Sequence, residues 1–230
     1  MKILAFDTAT EACSVSLGVD DRVIDRYVEL GRGHAERLLP MVDEVLAEGG
    51  ITLRSLDAIA FGRGPGGFTG VRLAASVAQG LAFGADLGVV PVSNLAAVAQ
   101  RALQRAPGAA EVLVVNDARM REVYWARFRI GAGVATDAEH VGPAASVALP
   151  GNGAAKPDSS NWVAAGRGLE VYPELAARCA ERGALVFPDL LPRATEILAL
   201  ARPAVAAGRL LDPADALPVY VRDRVADPSP

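Results

Sequence analysis

The sequence predicts an α/β protein folded as one or two globular domains, and three observations carry that prediction. The chain opens with three consecutive β-like runs. After them, short apolar strand-like runs alternate with amphipathic helical stretches. Its 230 residues are 51% hydrophobic and 22% charged, enough apolar material to bury one sizeable core or two small ones.

In chain order, Lys2 to Phe6, Ala12 to Val19 and Arg22 to Leu30 read as an antiparallel meander, with Gly18-Val19-Asp20-Asp21 separating the last two. Residues 34–48 read as a helix: Leu38, Leu39, Met41, Val42, Val45 and Leu46 fall within an arc of about 160° at ~100° per residue. Pro40 sits inside that stretch and predicts a kink or a tight first turn. Leu56 to Phe61 is a buried-strand candidate that runs into Gly62-Arg63-Gly64-Pro65-Gly66-Gly67-Phe68-Thr69-Gly70, and a second helix is expected over 69–83 with Thr69 as N-cap. On it, Gly70, Val71, Leu73, Ala74, Ala75, Val77, Ala78, Leu81 and Ala82 spread over roughly 220°, an arc that needs cover on two sides. One cover is its own sheet, and the other is a second helix or another molecule. The Gly70, Ala74, Ala78, Ala82 stripe lets another backbone come close, whether of a partner or of the chain's own core.

A strand over 88–93 and a helix over 94–104 precede Pro107-Gly108, the clearest internal boundary. Beyond it, 111–116 and 122–130 read as strand, turn, strand. The Gly-, Ala-, Pro- and Ser-rich stretch 131–161 reads as an irregular or insertion-like surface. Strands at 162–165 and 184–187 flank a helix at 173–182, and a last helix covers 194–207. The expected division is 1–106, 107–210 and a partly docked tail, 211–230, carrying Pro218-Val219-Tyr220-Val221-Arg222.

A net charge of -4 and a pI near 5.3 oppose direct binding of a phosphate backbone, because counterion release needs clustered Lys or Arg. The arginines are instead dispersed among acids, the pattern of a solvated surface. Cys13 and Cys179 are too few for a disulfide framework or a thiolate metal site. No apolar run approaches the ~20 residues of a membrane span, and the expected location is cytoplasmic.

The motifs are individually ambiguous. A strand ending in Asp7-Thr8-Ala9-Thr10 can present a carboxylate and backbone N–H groups to a phosphate or its Mg²⁺, or serve as turn chemistry. The glycine-rich loop at 62–67 fits a ligand or partner contact and a tight turn alike; it is neither a Walker loop nor a dinucleotide fingerprint. His34 has Leu38 one helical turn on, so a paired-histidine metal site is not expected on this helix. Neither a nucleophile elbow nor a Cys beside a base is present, which leaves nucleophilic hydrolysis without support. Asp117, Arg119, Glu122 and Tyr124 cluster at a strand turn, which a binding site and a surface hairpin explain equally.

Taken in order, several pieces resemble the TsaB (YeaZ) family: Ile3 to Thr10, His34 with Leu38-Leu39-Pro40, and Gly64-Pro65-Gly66-Gly67-Phe68-Thr69-Gly70-Val71-Arg72 with Gln79 to Ala82. Asp117-Ala118-Arg119 with Glu122-Val123-Tyr124, and the 218–222 segment, complete the series. Gly67 stands where family members commonly carry Ser. The resemblance implies two mixed-sheet domains of actin-like ATPase (ribonuclease H-like) type, the second abbreviated. It also implies a non-catalytic scaffold that binds a catalytic paralogue, TsaD, in the transfer of threonylcarbamoyl to adenosine of tRNA.

On that reading the partner interface is His34, Leu38, Met41, Val42, Val45, Val71, Ala74, Ala75, Ala78 and Leu81. A phosphate or nucleotide contact at the joint of the complex falls to Asp7, Arg63, Gly64, Gly66, Gly67, Thr69 and Arg72. No cofactor is expected in the isolated chain; ATP and metal belong to partner subunits. The expected partners are TsaD, a TsaE-type ATPase, a second copy when the chain is alone, and tRNA only indirectly, with no membrane. The alternative is an ATPase or peptidase acting alone.

Overall fold

The computed structural model describes residues 1–130, 134–136, 138–150 and 161–221. The first sheet is built from β1 (Lys2–Asp7), β2 (Ala12–Val19), β3 (Arg22–Glu29), β4 (Ala58–Gly62) and β5 (Val89–Val92), in the order β3-β2-β1-β4-β5. The opening meander pairs antiparallel, with Lys2 opposite Val19 and Ala12 opposite Glu29, while β4 and β5 add in parallel. β1 is buried on both faces, which is why it reads as a continuous apolar run and not as an alternating one.

Its two faces feed different cores. Leu4 and Phe6 join α1 (His34–Gly49) and α2 (Phe68–Ala85), whereas Ile3 and Ala5 pack under α6 (Ala194–Ala206) with Ile197, Leu198 and Ala201. The second sheet holds β6 (Glu111–Asp117), β7 (Glu122–Ile130), β8 (Val134–Thr136), β9 (His140–Pro143), β10 (Trp162–Ala165) and β11 (Leu185–Phe187). Its order is β11-β10-β6-β7-β8, with β9 also paired to β7. β6 and β7 are antiparallel and β10 and β11 add in parallel, so the second sheet repeats the plan of the first. Two mixed-sheet α/β units of actin-like type are therefore present.

The helices do not respect the expected division of the chain. α3 (Asn94–Arg105), placed by sequence in the first unit, packs Leu95, Val98, Ala99 and Ala102 on the second sheet, and α6, placed in the second, covers the first. The two helices touch one another between the sheets, while α4 (Gly168–Val171) and α5 (Pro173–Glu181) close the far face of the second. A boundary at 106/107 therefore cuts through the packing, because local composition marks a turn and not which sheet a helix covers.

α1 runs through Pro40, which lies on its exposed side. The N-cap of α2 is Gly67, not Thr69, and its side of the turn is closed without a side-chain cap. Within the stretch expected to be irregular, β9 and the buried Ala144, Val147 and Leu149 are ordered parts of a core; residues 131–133, 137 and 151–160 lie outside the described residues, as does 222–230 of the tail. The tail docks as far as it is described: Leu211 pairs with Val89, Ala216 is fully buried, and Val219 N–H donates to the Arg63 carbonyl at 2.8 Å.

Candidate functional site

The carboxyl ends of β1, β4 and β5 meet at one point, and the sequence folds there around Asp7. Its side chain is fully buried, accepts from Asn94 Nδ2 at 2.6 Å and takes the Ala9 N–H at 3.3 Å. Asn94 in turn accepts the Gly64 N–H at 2.7 Å, so a single amide ties the first strand to the glycine-rich loop. Burial strips water from the carboxylate and pushes its pKa from 3.8 up to about 6, against the opposing hydrogen bonds from Asn94 and the backbone.

The glycines of the loop are needed for close approach, but to the chain itself. A Cβ on Gly62 would overlap Asp7 Oδ1, and one on Gly70 would overlap the Thr8 carbonyl. One on Gly66 would stand 2.6 Å from the Ala9 carbonyl, and Gly64, at φ +102, leaves room only for the Val219 carbonyl. Thr8 Oγ1 donates to the Gly70 carbonyl at 2.7 Å and Gly67 N–H donates to the Ala9 carbonyl at 2.7 Å, so the β1–β2 turn occupies the concave side of the loop.

These residues do not fit a nucleotide phosphate: the carboxylate is already bonded, and the space that the glycines create is filled by residues 8 and 9. Arg63, expected at the same contact, pairs instead with Glu139 at 3.2 Å. Arg72 lies over the Phe68 ring at 3.7 Å from its centroid and donates to Tyr220 Oη at 2.7 Å. Of the seven residues expected to touch phosphate, Gly67, Thr69 and Arg72 remain exposed, together at the start of α2.

The interface expected from the apolar arcs also needs correction. Leu38, Met41, Val42, Val45, Ala74, Ala75 and Ala78 are buried inside the protomer, in the core beneath α1 and α2, and Val71 is buried as well. The wide arc of α2 is covered on one side by its own sheet and on the other by the tail, through Ala216 and a hydrogen bond from Gln79 Nε2 to the Ala214 carbonyl at 3.4 Å. His34 and Leu81 keep partial exposure, and His34 Nε2 is buried with no hydrogen-bond partner among the described residues.

What the two helices do offer outward is a different set. Phe83 is 84% exposed and Leu39 45%, and Leu73 and Val77 of α2 are half-covered. Gly80 and Gly84 share that side of α2, and a Cβ on either would meet open space. Among the described residues nothing accounts for Gly80 inside α2, where a glycine costs up to about 1 kcal/mol relative to alanine; Gly84 stands one residue before the helix ends at Ala85.

The Asp117 cluster is largely turn chemistry. Asp117 Oδ1 accepts the Arg119 N–H at 3.0 Å, and Arg119, Met120 and Arg121 carry φ of 61°, 53° and 63° around the hairpin. Both Cys13 and Cys179 are buried; burial raises each thiol to about 11, and at Cys13 the Asp7 charge adds to it. Sequence reasoning missed Asn94, Glu139 and Phe83. Asn94 opens an expected helix, and no local pattern ties it to Asp7. Glu139 sat in a stretch without periodicity. Phe83 fell on the polar face of its helix.

Comparison with known proteins agrees with the resemblance. The TsaD family model, tRNA N6-adenosine threonylcarbamoyltransferase, matches residues 28–222. The tRNA threonylcarbamoyladenosine biosynthesis protein TsaB of Escherichia coli (strain K12) is 41% identical over 189 residues, covering 76% of this chain and 75% of that protein. TsaB of Haemophilus influenzae is 52% identical over 127 residues, covering 55% of this chain and 53% of that one. The solved structure of YeaZ from Pseudomonas aeruginosa superposes with a TM-score of 0.82 at 43% identity, over 95% of this chain and 99% of that chain. With the sheet order and the glycine-rich loop already described, these matches make the chain a member of the TsaB (YeaZ) family, within the wider group that the TsaD model describes.

Proposed function

We propose that this chain is the non-catalytic scaffold subunit of the complex that transfers threonylcarbamoyl to adenosine of tRNA, and that it binds the catalytic TsaD paralogue through the outer sides of α1 and α2. Membership of the TsaB family gives involvement in tRNA threonylcarbamoyladenosine biosynthesis. The observation that carries the finer reading is Phe83, a large aromatic 84% exposed, flanked by Gly80 and Gly84, at both of which a Cβ would meet no described neighbour. A partner helix crossing over Gly80 and Gly84 would use the close approach they permit and would bury Phe83 as its anchor.

Leu39, Leu73 and Val77 would rim that contact. Gly67, Thr69 and Arg72 at the start of α2 would lie at its edge, available to a nucleotide held by TsaD or by a TsaE-type ATPase. In this reading the isolated chain works without ATP or metal of its own, the same face pairs two copies when TsaD is absent, tRNA is held by the partner, and the assembly is cytoplasmic. The occupied glycine-rich loop and the sequestered Asp7 support the scaffold over an ATPase acting alone.

The test is Phe83→Glu, expected to abolish co-purification with TsaD while the thermal melt of the isolated chain stays within a few degrees of the parent. Pairing that survives the substitution would refute the placement of the interface. Micromolar binding of ATP and Mg²⁺ to the purified chain, by calorimetry, would favour the enzyme.

A further inference from the structure

Among the described residues, two sets of ionic contacts cross between the sheet units, one on either flank of β6. On the β7 side, Glu139, placed just before β9, accepts from Arg63 Nη2 at 3.2 Å and from Ser93 Oγ. Its side chain is only 9% exposed, against 24% for Arg63. On the β10 side, Arg167 reaches Glu11 at 3.3 Å and Glu29 at 3.7 Å in the first unit, while Glu170 steadies it from its own unit at 2.9 Å.

The two contacts are unequal. Arg167 and its acids are between a third and over half exposed, where an ion pair contributes little and is screened by salt. Glu139 is shielded, and it grips two points that are themselves fixed. The Arg63 backbone is bonded on both sides, its N–H to the Val92 carbonyl and its carbonyl to Val219 N–H. Ser93 is the N-cap of α3, whose side chain accepts from Ala96 N–H. Arg63 also stands in the loop that leads directly into α2, so whatever holds Arg63 holds the start of that helix against the second unit.

We infer that Glu139 is an interdomain latch: by holding Arg63 and Ser93 together it sets the angle between the two sheet units, with Arg167 as a weaker outer clasp. This property belongs to the isolated chain and does not depend on the proposed partner.

The test uses the full chain with nitroxides on Arg54→Cys and Glu181→Cys, two exposed positions, one in each unit; Cys13 and Cys179 are buried and leave the labelling to the added thiols. Pulsed dipolar spectroscopy should give one narrow distance distribution for the parent. Glu139→Gln should raise the weight of a more open distribution about tenfold. Arg63→Gln should do the same, and the two together no more than either, because they remove one interaction. Arg167→Gln should do less, and nothing in high salt. Distributions unchanged by both Glu139→Gln and Arg63→Gln would overturn the inference. Loss of the fold in both, seen by circular dichroism, would overturn it equally, since a latch is dispensable for folding.

Discussion

Asp7→Asn should stabilise the protein at neutral pH and lose that advantage in acid. Asp7 is raised from 3.8 to about 6 by complete burial, so the folded state holds a proton that the unfolded chain has released between those values. The sign follows directly. The carboxyl costs nothing below 3.8, and stability is lost as pH rises through about 6, where folding must carry a desolvated charge. The gap of roughly two pH units, at ~1.36 kcal/mol per unit, is about 3 kcal/mol. An asparagine keeps the oxygen that Asn94 bonds but gives up the longer bond to Ala9 N–H, a loss of about 1 kcal/mol at every pH. The net gain at pH 7.5 is then about 2 kcal/mol, or roughly 4–8 °C in Tm for a chain of this size. The assay is urea unfolding of parent and variant from pH 4 to 7.5. Other carboxylates titrate in both proteins, so the difference between the two curves isolates Asp7. A difference that stays flat across that range would show that Asp7 is not the desolvated, proton-linked group that its surroundings make it.

Ala78→Arg should unfold the protein, and not merely uncouple it from a partner, because position 78 is fully buried and an unpaired charge there costs more than about 3 kcal/mol; the melt of the isolated chain decides. Gly80→Ala should raise the stability of the isolated chain by about 0.5–1 kcal/mol, since its Cβ meets open space, and at the same time weaken co-purification with TsaD. Stabilisation with undiminished pairing would remove the close-approach argument. Cys13 and Cys179 should resist a thiol reagent at pH 8 in the folded chain and react fully in denaturant, a contrast read by absorbance.

The elements were legible because period and punctuation agree along most of the chain. β1 to β3, α1 and β4 to β7 fall within one or two residues of their expected places. The period of Leu38, Met41, Val42 and Val45 marks one side of α1, but that side, expected to meet a partner, is buried within the protomer. What misled was α2. Alanine and glycine count as apolar in a helical projection, yet they say nothing about whether the covering group is a sheet, a tail or another molecule, and here the tail supplied the second cover through Ala216. The fully exposed aromatic on the polar side, Phe83, was the informative residue. At the glycine-rich loop, the sequence leaves a ligand or partner contact and a tight turn equally open, and the structure fills the space beside Gly66 and Gly70 with another stretch of backbone. That the backbone is the chain's own Thr8 and Ala9 follows only from the pairing of β1 with β4, which no local pattern records.

The exchange of α3 and α6 between the sheets has a consequence for synthesis. The first sheet is complete once residue 92 has left the ribosome, but its inner face waits for 194–206 before Ile3, Ala5, Ala60 and Val90 are shielded from water. A nascent chain halted midway therefore carries a finished sheet with one bare apolar side, a natural client for a chaperone. Neither half expressed by itself gains a full coat, so splitting the gene at the apparent linker should yield two insoluble fragments that become soluble only when made together.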